Sequence, residues 1–333
     1  MSAAITNSFS TVHERILRSA TKSAVGDFHK LAFHAMGTVC RVHLRTPNTA
    51  VANTIQSELL HWVTQFEAKY SRFLPDSLIG RINAAAGMHW VEIDPETENL
   101  LKLCHEMFFM TRGVFDPTAL PLIKLWNWKA NPPIIPTPDQ LSATRELCGW
   151  NKVQRRPGAI FLPRAGMCLD LGGIGKEYAV DCVAALIMNR GIKDVLVDFG
   201  QDVRVHGKPP EKPAWHIGLE NPQNPGNCWG GVAAFNHAIA TSGDYLRHFT
   251  RDGRRYGHII DPRDGAPVNN GCMSVTVIAP NCTVAGIFST TAFILGPEEG
   301  LKLIGSYMGA DGCITTDKSR FETRRFHEYV THQ

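Results

Sequence analysis

His258 is the first candidate for chemistry, and it stands within residues 253–265, a stretch rich in turn-forming residues. A short apolar run follows it, and Asp261-Pro262 and Asp264-Gly265 close that run into a turn, because proline fixes φ and glycine accepts positive φ. The pattern predicts a short strand that carries an imidazole into a tight reversal. An imidazole can serve as a general base near neutral pH. Histidines on strands are also common as structural residues, so this stretch alone leaves both roles open.

Lys176 belongs to a second candidate, a glycine-rich turn within residues 170–181. A strand-like segment leads into Gly172-Gly173-Ile174-Gly175-Lys176, and an amphipathic helix pattern follows. Glycines let backbone amides approach an anion, a helix N-terminus favours negative charge, and a lysine adds a mobile cation. The spacing fits neither the Walker A loop nor the GxGxxG pattern. Phosphate binding and an ordinary tight turn therefore both remain open.

Three further polar groups have the same two interpretations. Ser242-Gly243-Asp244 suits a loop that contacts a ligand, and equally a turn. Ser289-Thr290-Thr291 lies in a helical pattern, where its hydroxyls could bind a hard cation or bond back to the preceding turn. Asp116 lies in a turn between apolar segments, where it could contact a ligand or cap the turn.

The bulk composition argues against several classes of function. The chain has 333 residues, of which 44% are hydrophobic and 20% are charged, as in an ordinary globular protein. A net charge of +3 without a basic run gives no support for a nucleic-acid partner. No apolar run approaches the roughly 18 residues of a transmembrane helix, so we expect no membrane partner.

The cysteines and the N-terminus bear on location. None of the nine cysteines forms a pair at the two-residue spacing of a zinc or redox motif, and scattered cysteines favour a reducing compartment. The first 28 residues lack the basic and apolar regions of a secretory signal, and their Ser/Thr/Ala-rich composition with Arg15 and Arg18 leaves a transit peptide as the less favoured alternative. We therefore expect a cytoplasmic protein.

The elements that must position these residues alternate irregularly, which predicts an α+β fold rather than a doubly wound parallel sheet. We expect residues 1–30 to be an N-terminal extension and residues 31–333 a single domain, with a proline-rich region near 130–165 as a candidate division between two lobes. Periodicity predicts strands at 33–44, 168–171, 195–205, 215–219, 238–241 and 273–279, a hairpin at 153–162, and helices at 48–66, from 95, after 176, at 285–295 and at 300–308.

Taken in order, the motifs resemble those of the ApbE family, the FAD:protein FMN transferases. The resemblance covers roughly residues 33–315 and implies a T-fold-related, ApbE-like arrangement of mixed sheets flanked by helices. It rests on Met36-Gly37-Thr38, residues 71–77 with Arg81-Ile82-Asn83, residues 113–118 with Trp126, residues 170–176 with Tyr178 and Asp181, Ser242-Gly243-Asp244-Tyr245, His258-Ile259-Ile260-Asp261-Pro262, and Ser289-Thr290.

The resemblance implies binding of FAD and Mg²⁺, and transfer of FMN through a phosphoester to a serine or threonine of a client flavoprotein, with release of AMP. An alcohol that attacks a pyrophosphate needs a base and cations to offset the developing charge. By resemblance, His258 helps to activate the acceptor hydroxyl and Lys176 holds the diphosphate. Thr290 would bind the metal through its hydroxyl, and Gly175 through its backbone carbonyl. The residues expected at the FAD pocket are Met36, Ser71, Phe115, Asp116, Lys176, Asp181, Ser242, Asp244 and His258.

Three positions depart from the family pattern. The aspartate that usually lies four residues before Thr290 is Gly286, which offers no side-chain oxygen to a hard cation. The glycine that usually follows the lysine is Glu177, and the second residue of a usual Gly-Gly pair is Gln201. Glu177 could supply the missing metal ligand, or it could repel the phosphates of FAD.

These departures leave a second function open. The alternative is an ApbE-like protein that binds FAD, or hydrolyses it to FMN and AMP, without labelling a client. A purely structural protein is disfavoured, because it has no physical need to keep Lys176, His258 and Asp116 together.

Overall fold

The computed structural model describes residues 3–127, 130 and 132–331, and it confirms the α+β class. The α-helices of these residues are α1 Ala3–Ser19, α2 Thr49–Tyr70, α3 Leu78–Ala84, α4 Pro95–Met110, α5 Leu120–Trp126, α6 Pro138–Arg145, α7 Gly175–Asn189, α8 Cys282–Leu295 and α9 Pro297–Ser306. The strands are β1 Thr21–Val25, β2 Phe28–Ala35, β3 Thr38–Arg45, β4 Val91–Glu92, β5 Gln154–Arg156, β6 Ala159–Phe161, β7 Val195–Phe199, β8 Asp202–His206, β9 Trp215–Glu220, β10 Cys228–Ala234, β11 Ala238–Gly243, β12 His248–Arg251, β13 Arg254–Gly257, β14 Cys272–Ala279, β15 Asp311–Thr316, β16 Arg320–Glu322 and β17 Val330–Thr331.

One long sheet has the strand order β1-β2-β3-β7-β8-β11-β14-β15-β16. Its pairings are antiparallel throughout, so the sheet is not mixed in strand direction. Smaller sheets have the orders β17-β10-β9, β4-β6-β5 and β12-β13. Helix α7 packs on β7 and β8, and α8 packs on β11 and β14. None of the helices in the described part of the chain is both long and apolar enough to cross a membrane.

Strand β11 shows how the two faces of the long sheet are used. Ala238 and Ala240 belong to the main apolar cluster on the side of the helices, whereas Ile239 belongs to a second cluster with β9 and β10. This alternation is the two-residue period of a strand buried on both faces. Almost every side chain of α8 is buried. The polar residues on α8 must therefore find partners inside the protein.

Two predicted strands are in fact hairpins. Residues 33–44 span β2 and β3, joined by Met36 and Gly37 with φ of 50° and 74°. Residues 195–205 span β7 and β8, joined by Gly200 and Gln201 with φ of 62° and 74°. Consecutive positive φ values are typical of the two-residue type I′ turn. The turn shifts the phase of the alternation, because residues paired across it, such as Ala35 and Thr38, are three positions apart. The buried positions are therefore 31, 33 and 35 in β2 but 40, 42 and 44 in β3, and this shift is the sequence signal of the hairpin.

The predicted strand at 168–171 is wrong, although its backbone groups are satisfied. Asn83 accepts from the Leu169 amide at 2.6 Å and donates to the Leu169 carbonyl at 2.9 Å. The Asp170 amide donates to the Pro117 carbonyl at 2.8 Å. A side-chain amide and a turn thus replace a strand partner. The predicted helices at 48–66 and from 95, and the hairpin at 153–162, are confirmed as α2, α4 and β5–β6.

The predicted domain boundary at residue 30 does not exist in the fold. Helix α1 packs on α2 and buries Val12 and Ile16, and β1 pairs with β2 at the edge of the long sheet. Residues 130–165 do not divide the core either, since Trp150 and Ile160 belong to the same apolar cluster as Val12. Residues 128, 129 and 131 of the proline-rich region lie outside the described residues. The few apolar side chains of α1 are separated by polar ones, so its composition does not by itself indicate a buried face.

Candidate functional site

Hydroxyl groups from β11 and α8 meet at the centre of the candidate site. The Oγ of Ser242 lies 2.8 Å from the Oγ of Ser289 and 2.8 Å from the Oγ1 of Thr290. Ser289 also donates to the carbonyl of Gly286 at 3.0 Å. The structure therefore brings together Ser242 and Thr290, which the sequence predicts as pocket and metal residues.

Glu177 fills the space left by the missing side chain of Gly286. A Cβ atom built on Gly286 would lie 2.4 Å from the Cγ of Glu177 and 3.3 Å from its Oε1. Thr290 follows Gly286 by one helical turn, on the same face of α8. The Glu177 carboxylate, on α7, thus lies where a side chain at position 286 of α8 would project.

The carboxylate of Glu177 is unusual in its surroundings. Glu177 is 7% exposed, and its Oε2 is buried without a hydrogen-bond partner. Its Oε1 lies 3.4 Å from the Nζ of Lys176. An unsatisfied buried carboxylate oxygen is destabilising unless a cation or a donor reaches it.

These donors fit a hard cation. Mg²⁺ prefers oxygen ligands and is commonly held by one or two carboxylates together with substrate phosphates. Glu177 supplies such a carboxylate, Thr290 supplies a hydroxyl, and Gly175 begins α7 two positions before Glu177. Within the described residues, no group of three or more His, Cys, Asp or Glu side chains could hold a metal ion. The donor set therefore suits a substrate-linked Mg²⁺ better than a transition metal.

The ammonium of Lys176 lies between two carboxylates. It contacts Asp202 at the start of β8 as well as Glu177. Asp202 is 6% exposed, and neither the glycine turn nor its spacing pointed to it. The only local signal is an acid at the head of an apolar strand. In the absence of a ligand, Lys176 is thus positioned by internal ion pairs, and its contact with a diphosphate stays a prediction.

The glycine turn is held by an ion pair with the loop after α2. Asp170 accepts from the Gly172 amide at 3.0 Å, and the Nε of Arg72 lies 3.2 Å from Asp170. Burial raises the pKa of Asp170, and the Arg72 cation opposes that shift. Phe115 packs above the turn, because a Cβ built on Gly173 would lie 3.6 Å from its ring. Phe115 thus lies beside the predicted phosphate-binding segment.

Met36, Ser71 and Asp116 lie at turns. The Met36 amide donates to the Oε2 of Glu67 at 2.9 Å, and the Ser71 carbonyl accepts from Ser77 at 2.7 Å. Asp116 accepts from the amide and the hydroxyl of Thr118 at 2.8 and 2.6 Å, and burial raises its pKa. Asp116 also lines a surface cleft that includes Lys152 and Pro262. The turn-capping role of Asp116 is therefore visible, and its cleft adjoins the segment that follows His258.

Asp181 caps the N-terminus of α8. Its carboxylate accepts from the amides of Cys282 and Thr283, each at 2.9 Å, and from the Thr283 hydroxyl at 2.7 Å. The Nη1 of Arg204 lies 2.6 Å away. Asp181 therefore has a visible capping role, and its contact with FAD stays a prediction.

Asp244 also serves the scaffold. It is 2% exposed, it accepts from Arg255 at 2.8 Å, and a Cβ built on Gly257 would lie 2.2 Å from its Oδ2. The carboxylate thus packs beneath the β12–β13 hairpin. The contact of Asp244 with FAD stays a prediction.

His258 follows β13 rather than standing at the head of a strand. Its amide donates to the Arg247 carbonyl at 3.1 Å, and its Nδ1 lies 3.2 Å from the same oxygen. A proton on Nδ1 satisfies that contact and leaves the basic lone pair on Nε2. Burial lowers the pKa of His258, and the Arg247 cation lowers it further. The neutral imidazole required of a base is therefore favoured at pH 7.

Comparison with known proteins identifies the family. Residues 36–314 match the model of the ApbE family. The chain belongs to the ApbE family. A relative named FAD:protein FMN transferase, from Vibrio cholerae serotype O1, is 30% identical over 270 residues, which are 80% of this chain and 81% of that protein. A protein of the same name from Treponema pallidum is 31% identical over 298 residues, which are 84% and 82% of the two chains.

Solved structures of the ApbE family share the fold. The ApbE protein of Thermotoga maritima superimposes with a TM-score of 0.82 at 29% identity, over 92% of this chain and all of that chain (100%). The flavin transferase ApbE from Vibrio cholerae superimposes with a TM-score of 0.81 at 26% identity, over 93% and 99% of the two chains. The match to the family model, over residues 36–314, includes both Glu177 and His258.

Proposed function

We propose that this member of the ApbE family is an FAD:protein FMN transferase that uses Mg²⁺. The relatives from Vibrio cholerae and Treponema pallidum carry that name. The observation that favours transfer over a degenerate flavin-binding role is the buried, unpartnered Oε2 of Glu177 beside Gly286. It supplies a carboxylate where the glycine supplies none, so the loss at position 286 does not remove the capacity for a cation.

The chemistry assigns each side chain a task. Nε2 of His258 accepts the proton of the client hydroxyl, while the oxygen of that hydroxyl bonds to the phosphorus of the FMN half. The bond between that phosphorus and the bridging oxygen breaks, and AMP leaves with the electron pair. Glu177 and Thr290 would hold Mg²⁺, which offsets the negative charge of the diphosphate when it is bound. Lys176, already in contact with Asp202, adds a second cation at the same end of α7.

A mass measurement tests this proposal. The purified protein is incubated with FAD, MgCl₂ and candidate client flavoproteins, and each client is examined by intact-mass analysis. We expect one FMN phosphoester on a client, loss of labelling when the acceptor threonine or serine is changed to alanine, and strongly reduced labelling by the His258→Ala enzyme.

Two results would contradict transfer. AMP release without a labelled client would identify an FAD hydrolase, because water would then replace the client hydroxyl. FAD binding without AMP, at any Mg²⁺ concentration, would identify a protein that binds flavin but does not react with it.

We also propose a cytoplasmic location. All nine cysteines are free, and burial raises the pKa of thiols such as Cys104, to about 12. Such thiols are unreactive and suit a reducing compartment. Cell fractionation with an antibody to the chain checks this, and recovery from an extracytoplasmic fraction would contradict it.

A further inference from the structure

The β12–β13 hairpin is an arm that pairs with no other strand in the described part of the chain. Asp252 and Gly253 at its tip have φ of 51° and 73°, as in a type I′ turn. Such a turn matches the twist of the two strands, so the arm is preformed. It leads directly into His258.

Aromatic contacts fasten one face of the arm to the protein. The rings of Phe249 and Tyr256 stack with centroids 5.0 Å apart, and the Tyr256 ring lies 5.8 Å from that of Trp126 on α5. On the opposite face, Arg255 pairs with the buried Asp244. The base of the arm is therefore anchored on both sides.

The tip of the arm carries positive charge that the fold leaves largely uncompensated. Arg251 and Arg254 face each other directly across the two strands. The carboxylate nearest Arg251 is that of Asp252, at 3.9 Å, and Arg247 and Arg254 form no ion pair with any described residue. Arg251 donates to the Pro133 carbonyl at 3.2 Å, and the Arg254 guanidinium lies 5.3 Å from the centre of the Tyr256 ring, but neither contact supplies a negative charge. Like charges directly opposite on a hairpin are destabilising. Folding alone does not require this arrangement, whereas an acidic partner would benefit from it.

We propose that this arm, residues 246–257, docks an acidic segment of the client protein next to its acceptor hydroxyl. The inference rests on the proposed function, since it is the client that must approach His258. Leu246, which is 67% exposed, gives a peptide an apolar contact at the base of the arm. The small number of arginines without a close carboxylate suits a short acidic peptide better than a nucleic acid, whose binding normally uses many phosphate contacts.

The length of the arm specifies where the acidic residues belong. Arg254 precedes Gly257 by three residues, a distance of about 10 Å at roughly 3.3 Å per strand residue. An extended client segment covers the same distance with about three residues. The acidic side chains should therefore lie about three or four positions from the acceptor.

Peptide binding to the full-length protein with FAD and MgCl₂ tests the proposal. The probes are fluorescein-labelled peptides with a single threonine. One has two aspartates three and four positions away, one has asparagines there, and one has the aspartates ten positions away. By anisotropy, we expect the first to bind about tenfold more tightly than the other two, and 0.5 M NaCl to reduce the difference.

Charge reversal on the protein gives the matched comparison. The Arg251→Glu/Arg254→Glu variant should bind the acidic peptide about tenfold more weakly, because two attractive contacts become repulsive. The Lys22→Glu/Arg324→Glu variant has the same change in net charge at exposed sites outside the arm, and it should bind normally. An Arg251→Gln/Arg254→Gln variant keeps neutral side chains at the tip and should also lose the preference. Because the chain has seven tryptophans, the Trp126 signal is taken as the difference between each protein and its Trp126→Phe version; an unchanged difference would show that the arm is still docked.

Several outcomes would overturn the docking surface: equal binding of the aspartate and asparagine peptides, equal losses in the two charge-reversal variants, or tighter binding of an oligothymidylate of matched charge. Flavin transfer is read separately by mass. Acidic-peptide preference without any transfer would contradict the proposed function alone, and transfer without the preference would contradict the docking surface alone.

Discussion

Replacing Gly286 by aspartate should destabilise the protein while Glu177 is present. The new Cβ would lie 2.4 Å from the Cγ of Glu177, whereas ordinary contacts of this kind are 3.4–4 Å. Overpacking a filled interior costs about 1–3 kcal/mol. Two carboxylates in one buried site add like-charge repulsion to that cost.

Glu177→Gly should have a different effect. It removes the carboxylate that we assign to Mg²⁺, so the stabilisation that Mg²⁺ gives to the folded protein should disappear. Combined with Gly286→Asp, the same change removes the steric conflict and returns a carboxylate from α8. We therefore expect the double variant to be more stable than Gly286→Asp, with a favourable coupling of about 1–3 kcal/mol between the two positions.

The assay is urea denaturation of the four proteins with and without MgCl₂, together with calorimetric titration of Mg²⁺. Gly305→Asp on α9 is the matched control, since nothing lies within 4 Å of a Cβ built there. If Gly286→Asp is as stable as Gly305→Asp, Glu177 does not occupy this space in solution. If the double variant regains stability but not Mg²⁺ binding, the aspartate introduced at position 286 fills the space of the Glu177 side chain but does not replace it as a metal ligand.

Three other predictions follow from the same contacts. Glu177→Gln keeps the side-chain volume and removes a buried charge whose Oε2 has no hydrogen-bond partner, while Lys176 keeps Asp202 as its partner. Unfolding in EDTA should therefore show unchanged or higher stability, and Mg²⁺ should no longer raise the melting temperature. Asp181→Ala removes the cap of α8 and should lower the free energy of unfolding, measured in urea, by about 1–2 kcal/mol. Asp181→Asn keeps one acceptor oxygen and should lower it less. Equal stability of the wild type and both variants would refute the capping role. Because burial and the Arg247 cation lower the pKa of His258 below 6.5, flavin transfer should hold its rate as the pH falls through 6.5 and decline only at lower pH. A transfer rate that already declines above pH 6.5 would contradict the lowered pKa. Because His258 has the lower pKa in the folded protein, the unfolded chain binds more protons near pH 6.5. The contribution of His258 to stability is therefore complete above pH 6.5 and diminishes as the pH falls below it.

Much of the fold could be predicted where its cause is local. Helices α2 and α4 follow from apolar spacing, from the Asn48 side chain that caps α2, and from Pro95 at the first turn of α4. The hairpin turns at Met36 and Gly200 are hard to predict, since neither has the Asn-Gly or Asp-Gly pair that usually marks a two-residue turn. The burial of Val12 and Ile16 is not predictable from α1 alone, because it is the packing of α2 against α1 that covers them.

The sequence by itself determined the chemical groups: an imidazole at 258, a lysine at 176, hydroxyls at 242 and 290, and a glycine at 286 where a carboxylate is usual. Tertiary structure alone decided how those groups are used. It turned Asp181 towards the N-terminus of α8, 101 and 102 positions further along the chain, and it placed Asp202 against Lys176. It also laid Glu177 over Gly286. Such pairings depend on which faces of α7 and α8 pack together on the sheet. The spacing of residues within one helix does not indicate which residues of the other helix they will contact.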